Sequence, residues 1–310
     1  MDLVSLIIGG FAMAAAQSMD TACPVELVVL GTAQDGGAPQ IGHDGDPAWT
    51  NPALRRTATS LGIVDRGSGR RWLFEASPDL REQLHRFDGV APATDPNHGL
   101  DGVFLTHAHM GHYVGLMFFG HESMGAKDLP VHAMPRMARY LTDNGPWSQL
   151  VRYGNIALKP LADGQAVDLG AIRVTPFLVP HRQEFSEVVG FRIEGPEKSV
   201  LFLPDIDSWE QWDAQGTRIE DEIARVDVAY LDATFYAQGE LPGRDMSKIP
   251  HPLIAHSMAR FAALPAPERA KVRFIHLNHT NPARFPDSEA RRAVEAGGFR
   301  VAEEMERVCL

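Results

Sequence analysis

Short apolar runs, separated by loops rich in glycine and proline, recur along this chain and predict a fold built on buried strands. Apolar runs of about four to eight residues bounded by turn residues are typical of strands that are covered on both faces. The predicted strands cover residues 25–30, 59–64, 71–75, 101–105, 130–134, 172–179, 188–193, 199–203, 226–231 and 272–277, with a short edge strand at 299–301.

Helices are predicted between these strands at residues 135–141, 251–263 and 288–296. A further helix is predicted with Ser77 as its N-cap and Pro78 at its first position, because serine caps helix N-termini and proline suits the first turn. Asp163-Gly164 predicts a β-hairpin between strands at 157–158 and 166–169.

The first apolar run, Leu3 to Ala16, has the length of the apolar part of a secretory signal and is too short for a comfortable membrane span. Met1-Asp2 before it carries no basic residue, so an uncleaved anchor or a loose N-terminal helix remains an alternative. We expect residues 1–22 to be a signal peptide or a disordered N-terminus and residues 23–310 to form one domain. The protein would then be periplasmic or secreted, and the alternative is a cytoplasmic protein.

The composition of the chain limits the kinds of partner and metal ligand that we expect. The chain has 310 residues, a net charge of −11 and no run of basic residues, which argues against nucleic acid as the main partner. The two cysteines, Cys23 and Cys309, could pair if the chain ends meet in an oxidising compartment, but we favour two unrelated thiols. Neither cysteine lies near the histidines described next, so thiolate ligands for a metal are not expected.

A histidine cluster follows the predicted strand at 101–105, in the segment Thr106-His107-Ala108-His109-Met110-Gly111-His112. His107 and His109 are two residues apart and point to the same side of an extended backbone. A turn at the start of the next helix can bring the His112 ring back to them. Imidazole is the commonest metal ligand among side chains, so the cluster predicts a metal site.

Other strands also end in residues that can bind a metal. These residues are His181, Asp205 and His279. Ligands gathered at one edge suggest two sheets packed face to face with helices outside them. The loop after the first strand contains Asp35 and two glycines, and it either approaches this site or is a plain turn.

The order of these ligands resembles that of the metallo-β-lactamase superfamily. The resemblance implies an α/β fold of four layers, an αββα sandwich with two mixed sheets and helices on the outer faces. It also implies one or two divalent metal ions, with zinc favoured and iron or manganese as alternatives. The implied ligands are His107, His109 and His181 for the first metal, Asp205 as the bridge, and His112 and His279 for the second metal.

Within that superfamily the chain is most similar to the group of pyrroloquinoline-quinone biosynthesis protein B. The segments that carry this resemblance are 30–40, 232–235, 251–254 and 280–282. Members of that group have a cysteine-rich zinc knuckle where this chain reads Ile41-Gly42-His43-Asp44-Gly45-Asp46. The superfamily also has an aspartate ligand where this chain has Gly111, so the second metal is either bound with fewer protein ligands or absent. We favour two metals, because His112 and His279 would otherwise have no role.

Asp232 and His251 resemble the acid/base pair of phosphodiesterase-type members of the superfamily. His251 is predicted near a helix N-terminus, where the helix dipole disfavours its cationic form, so a neutral ring could act as a base, or as an acid after taking a proton. The alternatives are a capping or surface role for His251, with His256 as the rival placement. His276 is the rival of His279 as a ligand. It is predicted inside a strand at odd spacing, where it would face the opposite side of the sheet.

These residues predict a hydrolase in which the metal lowers the pKa of a bound water, so that the resulting hydroxide attacks an ester, amide or phosphodiester centre. Asp205 would orient the metals, and His251 with Asp232 would stabilise the oxyanion or protonate the leaving group. The expected substrate is a small or peptide-like molecule. The alternatives are an iron-dependent oxidoreductase of cofactor biosynthesis and a non-catalytic protein that binds a metal or ligand.

Overall fold

Two seven-stranded β-sheets lie face to face in the computed structural model, which describes residues 23–93 and 99–310. In chain order the strands are β1 (Val25–Gly31), β2 (Ser60–Asp65), β3 (Arg70–Phe74), β4 (Gly102–Phe104), β5 (Leu129–Ala133), β6 (Ile156–Pro160), β7 (Val167–Asp168), β8 (Arg173–Leu178), β9 (Val189–Glu194), β10 (Ser199–Leu203), β11 (Val228–Asp232), β12 (Val272–Ile275), β13 (Arg300–Val301) and β14 (Arg307–Cys309).

The two sheets have matching mixed topologies. The first runs β14-β1-β2-β3-β4-β5-β6, antiparallel up to β3 and parallel from β3 to β6. The second runs β13-β12-β11-β10-β9-β8-β7, parallel from β13 to β10 and antiparallel from β10 to β7. The predicted pair of mixed sheets is therefore confirmed.

The helices cover the outer faces of the sheets. They are α1 (Leu80–Val90), α2 (Met110–Tyr113), α3 (Pro135–Asp143), α4 (Trp147–Arg152), α5 (Trp209–Ala214), α6 (Ile219–Ala224), α7 (Ile254–Phe261), α8 (Ala266–Arg269) and α9 (Glu289–Ala296). One apolar cluster joins α1, α3 and α4 to the first sheet, and another joins α5, α6, α7 and α9 to the second.

A third apolar cluster fills the space between the sheets. Phe74 and Phe104 of the first sheet stack on each other, and both make edge contacts with Phe191 of the second. Aromatic side chains bury a large apolar area, and edge-to-face contacts suit their charge distribution. This core holds the two sheets together and completes the predicted four layers.

Two predicted local features are wrong. Asp163-Gly164 does not close a hairpin, because β6 pairs with β5 in the first sheet whereas β7 pairs with β8 in the second. The segment is instead the connection between the sheets. Ser77 is not the N-cap of α1, which begins three residues later at Leu80. The Ser77 hydroxyl accepts a hydrogen bond from the Asp79 backbone amide in the turn before the helix.

The two cysteines form a disulfide, so our preference for unrelated thiols is wrong. Cys23 and Cys309 have Cα atoms 5.5 Å apart, a spacing that suits the bond. They meet because the last strand, β14, pairs with β1 at the edge of the first sheet. The sequence pattern did not predict β14.

The signal-peptide prediction concerns residues 1–22, which lie outside the described residues.

Within the described ranges, every helix is too short or too polar to span a membrane.

Candidate metal centre

Loops that follow the carboxyl ends of the parallel strands form the site at one edge of the sandwich. Strands β10, β11 and β12 are parallel and in register, so the residues that follow them emerge side by side. In α/β sheets this edge is where ligands bind. The loops after β1, β4 and β8 reach the same place from the rest of the fold.

A first group of metal-binding atoms comes from His107, His109 and His181. The His109 Nδ1 atom lies 2.8 Å from His107 Nε2 and 3.3 Å from His181 Nε2. Asp205 Oδ2 lies 3.8 Å from His107 Nε2, and Asp205 Oδ1 lies 3.8 Å from His181 Nε2. Ligands at about 2.05 Å around a tetrahedral zinc ion are about 3.3 Å from one another, so these atoms surround a volume the size of one ion.

Hydrogen bonds on the opposite side of each ring keep these histidines in place. Thr106 Oγ1 lies 2.9 Å from His107 Nδ1 and donates to Glu75 at 2.5 Å. The Asp207 carboxylate lies 2.8 Å from His181 Nδ1. On His109 it is Nε2 that has the outer partner, Glu184. Outer partners of this kind orient histidines that bind a metal through the other ring nitrogen.

A second group of atoms shares Asp205 with the first. Asp205 Oδ2 lies 2.9 Å from His112 Nε2 and 3.4 Å from His276 Nε2. Asp35 Oδ1 lies 3.2 Å and 3.6 Å from the same two ring nitrogens. All four atoms are buried and have no hydrogen-bond partner within the described part of the chain. Buried polar atoms normally form hydrogen bonds, so four such atoms that converge on one point without hydrogen bonds fit a bound cation.

Charges in the second group stabilise one another. Burial raises the pKa of the Asp35 and Asp205 carboxyls, but the facing histidines outweigh it and hold both pKa values well below the usual range. Burial lowers the pKa of His112, but Glu75, Asp205 and Asp35 outweigh it and raise that pKa well above normal. The carboxylates therefore draw a positive charge to this point, and a divalent cation would supply it in place of protons.

Two histidines of the first group have lowered pKa values, unlike His112 of the second group. Burial and the neighbouring His112 ring hold the pKa of His107 well below normal, and burial lowers the pKa of His109. Both rings are therefore neutral at physiological pH, which is the form that binds a metal.

The structure corrects the predicted role of His279. We expected His276 to face away from the site because strand side chains alternate. However, β12 ends at Ile275, and His276 has a φ angle of 66°. This left-handed conformation breaks the alternation and turns the His276 ring into the second group, where its Nδ1 atom lies 3.0 Å from Thr234 Oγ1.

His279 lies beside the centre rather than in it. None of the metal-capable groups found in residues 23–93 and 99–310 includes it. Its half-buried ring packs edge-on against the His43 ring, with the two ring centroids 4.9 Å apart. It also lines a cavity of about 440 Å³. His251 lines the same cavity, so the cavity opens next to the metal-binding atoms.

Asp232 and His251 form the predicted pair. Asp232 Oδ2 lies 2.8 Å from His251 Nδ1, and its other oxygen accepts hydrogen bonds from the Thr234 amide and hydroxyl. Burial lowers the pKa of His251, but Asp232 and then Asp205 outweigh it and raise that pKa to about 9. The carboxylates therefore favour the protonated ring, in contrast to the neutral form expected from a position near a helix N-terminus.

Three cationic side chains also line the cavity. Arg182, Arg244 and Lys248 are exposed at its wall. Arg182 has Glu184 at 3.4 Å and Lys248 has Asp245 at 3.5 Å, whereas no ion pair of Arg244 is found within the described residues. Among the described residues of this wall, Arg244 is therefore the cation that remains available to an anionic group next to the site.

Sequence patterns leave the place of Asp35 open and assign no role to the residues that support the histidine rings. The Asp35 loop approaches the site rather than forming a plain turn. The supporting residues are Glu75, Thr106, Glu184, Asp207 and Thr234. The available signal for Glu75 is a glutamate at the end of the apolar strand predicted at 71–75. In the structure Glu75 is buried just after β3, and its φ angle of 73° marks a constrained backbone.

Comparison with known proteins agrees with this geometry. Residues 70–277 match the family described as Beta-lactamase superfamily domain. Coenzyme PQQ synthesis protein B from Methylobacterium sp. (strain 4-46) and from Xanthomonas axonopodis pv. citri (strain 306) are each 28% identical to this chain, over 90% of it and 97% of the relative.

Solved structures show the same fold. Zinc-bound PqqB from Methylobacterium extorquens superimposes with a TM-score of 0.75 at 23% identity, covering 92% of this chain and 100% of that protein. A diphosphatase of the PhnP family gives a TM-score of 0.63 at 21% identity, covering 92% and 98%. At these identities the likeness establishes the fold alone. Since the family match spans more than half of its length, this chain belongs to the beta-lactamase superfamily and has the metallo-β-lactamase fold.

Proposed function

We propose that this protein is a metal-dependent hydrolase that cleaves an ester-type bond, carboxylic or phosphoric, in a small anionic molecule. The observation that carries the proposal is the set of buried atoms of Asp35, His112, Asp205 and His276 that converge on one point without hydrogen bonds. These atoms adjoin a second histidine group and a cavity lined by the His251 ring. A metal centre beside an acid/base pair and an open cavity has the parts that hydrolysis requires.

The chain offers two positions for divalent cations, which share Asp205. His107, His109 and His181 would hold the first, and Asp35, His112 and His276 the second. A cation bound there would lower the pKa of a water ligand and polarise the bond under attack. Imidazole and carboxylate donors suit zinc, iron and manganese. The zinc-bound relative supports zinc as the first choice.

His251 would donate a proton to the leaving group. Asp232 binds its Nδ1 atom, which leaves Nε2 as the nitrogen for the substrate. The raised pKa of about 9 keeps the ring protonated at neutral pH in the metal-free protein. A cation held by Asp205 would lower this pKa, because like charges disfavour each other, and would bring it closer to the range that suits proton transfer.

Positive charge at the cavity supports an anionic substrate. Arg182, Arg244 and Lys248 line the wall next to His251. Clustered cations raise the local concentration of anions and bind carboxylate or phosphate groups directly. A small substrate with such a group would sit in the cavity with its scissile bond towards the metals.

The test combines a substrate panel with a matched pair of histidine variants. The zinc-loaded protein is assayed on carboxylic esters, lactones, lactams, phosphodiesters and diphosphates. On the best substrate, His251→Gln should lower kcat by about 10²- to 10⁴-fold with unchanged zinc content, because proton transfer has this weight in catalysis. His256→Gln changes an exposed histidine of α7 that pairs with Glu210 and should keep full activity.

Three results would contradict the proposal. One is a panel with no turnover above that of the His107→Ala variant. The second is equal activity of the two glutamine variants. The third is iron after anaerobic purification together with oxygen consumption, which would establish the oxidoreductase alternative.

We also propose that the protein acts outside the cytosol. The Cys23–Cys309 disulfide supports this location, because disulfides persist in oxidising compartments and are rare in the cytosol. Its relatives are named for coenzyme PQQ synthesis. We propose related chemistry outside the cytosol, and fractionation of cells that express the full chain tests this location. A protein found only in the cytosol with free thiols would refute export.

A further inference from the structure

Gly111 and Asp35 compete for the same space. A Cβ atom built on Gly111 would lie 2.1 Å from Asp35 Oδ1 and 2.6 Å from Asp35 Cα. Real Cβ atoms do not approach other atoms this closely, so any side chain at position 111 would have to displace the Asp35 loop. The lack of a side chain at 111 is therefore the condition that allows the Asp35 carboxylate to enter the centre.

The backbone holds Asp35 in that space. Residues just before it pair with the chain after β12: the Leu277 amide donates to the Thr32 carbonyl at 2.9 Å, and the Gln34 amide donates to the Leu277 carbonyl at 2.8 Å. Leu277 follows His276 directly, so these bonds fix the Asp35 loop against the His276 segment. The contact links β1 of the first sheet to β12 of the second.

The Asp35 side chain is partly exposed, but one of its carboxylate oxygens is buried in the centre. Its side chain is 39% exposed, yet Oδ1 is buried, facing His112 and His276 without a hydrogen bond. A structural aspartate would place this oxygen in a hydrogen bond, and Oδ1 forms none with the two ring nitrogens that it faces. An oxygen that converges with His112 Nε2, His276 Nε2 and Asp205 Oδ2 has the arrangement of a metal ligand.

We propose that Asp35 is the carboxylate ligand of the second metal ion, and that Gly111 is its steric complement. The superfamily pattern would place an aspartate at position 111. In this chain the carboxylate comes instead from the loop after β1, some 75 residues earlier, and enters the same volume. The inference rests on the metal centre of the proposed function and assigns its second position four ligands, Asp35, His112, Asp205 and His276.

The test measures zinc bound to the full chain, independently of activity. The purified protein is stripped, reloaded with Zn²⁺ alone and dialysed, and zinc per chain is measured by mass spectrometry. The wild type should hold about two ions, and both Asp35→Asn and Gly111→Ala should hold about one, because each removes the same carboxylate from the second position.

Matched controls separate the ligand from the general effect of each substitution. Asp44→Asn changes an exposed aspartate of the nearby loop, and Gly89→Ala adds a Cβ in open space on α1. Both should keep about two ions. If Gly111→Ala does not fold, as circular dichroism of the stripped protein would reveal, Asp35→Asn decides the question, since the two side chains have the same shape.

Two zinc ions in both site variants would overturn the inference, and so would a single ion in the wild type. A protein that loses one ion with Asp35 but hydrolyses nothing would leave the ligand assignment intact and refute the proposed function. The two claims therefore fail separately.

Discussion

At the scale of the residue, environment decides the charge of each buried histidine. His112 and His251 lie against carboxylates that raise their pKa values. His132 is buried without any such partner. Its ring stacks on Phe104 at 4.2 Å, and its Nδ1 atom has no hydrogen-bond partner among the described residues. Burial, and then the charge of Lys159, lower the pKa of His132 to about 4.

This low pKa makes His132 a source of acid sensitivity. In the unfolded chain a histidine titrates near pH 6.5, whereas the folded His132 resists protonation until about pH 4. Its contribution to stability is complete above about pH 6.5 and falls as the pH drops towards 4, by at most about 3 kcal/mol. Below the folded pKa both states are protonated and the loss stops.

We therefore expect His132→Gln to flatten the dependence of stability on pH. Urea unfolding between about pH 7.5 and 4.5 should show a smaller decline for the variant than for the wild type, because the glutamine does not titrate. His121→Gln, at an exposed histidine, should leave the decline unchanged. Parallel curves for His132→Gln and wild type would contradict the assignment.

At the scale of the element, an ion pair anchors the loop between β1 and β2. Asp46 and Arg284 are buried, and their charged groups are 2.6 Å apart. Asp46 also accepts a hydrogen bond from the Ala48 amide, and Arg284 donates to the His279 carbonyl. The pair connects the loop to the wall of the cavity, and the loop contains no cysteine.

Removing one partner should destabilise the protein without removing metal. Asp46→Asn would leave the buried guanidinium without its anion, at a cost of about 3–5 kcal/mol. Thermal unfolding should show a lower midpoint, while zinc content stays at the wild-type value. The double variant Asp46→Asn/Arg284→Met should recover part of the loss, because it removes the unpaired charge. A double variant as unstable as the single one would mean that the pair acts through packing.

Elements were predictable where local sequence alone decides them. Strands such as β10, an apolar run bounded by polar residues, agree with the prediction to the residue. The last strand, β14, was missed because it has one buried side chain, Val308, and becomes a strand by pairing with β1. The end of β12 was missed because contacts from the β1 and β11 loops hold His276 in its left-handed conformation.

The site residues also separate into those that local sequence predicts and those that depend on tertiary contacts. Five of the predicted ligands lie close together, since each follows a recognisable strand or opens a helix, and their role as ligands stays a prediction: His107, His109, His112, His181 and Asp205. His276 rather than His279 lies in the second group, and Asp35 lies there too. Both placements depend on contacts between loops of opposite sheets. No spacing along one segment encodes such a meeting, which is why the motif alone indicated an incomplete second position.

At the scale of the whole molecule, the Cys23–Cys309 bond joins the two ends of the described fold. The cysteines are 286 residues apart, so the bond closes a loop that contains both sheets and the metal centre. Such a bond restricts the unfolded chain and stabilises the fold by about 2–4 kcal/mol. It acts on β1, and β1 leads directly into the Asp35 loop.

Reduction should therefore lower the stability of the whole domain while leaving metal binding intact at moderate temperature. We expect a reductant that does not bind zinc to lower the thermal midpoint of the wild type. The Cys23→Ser/Cys309→Ser variant should already have the lower midpoint and should not respond to reductant. Thiol counting and peptide mass spectrometry on native protein check the bond itself. Two free thiols in protein purified from an oxidising compartment, or equal midpoints with and without reductant, would show that β14 is held to β1 by strand pairing alone.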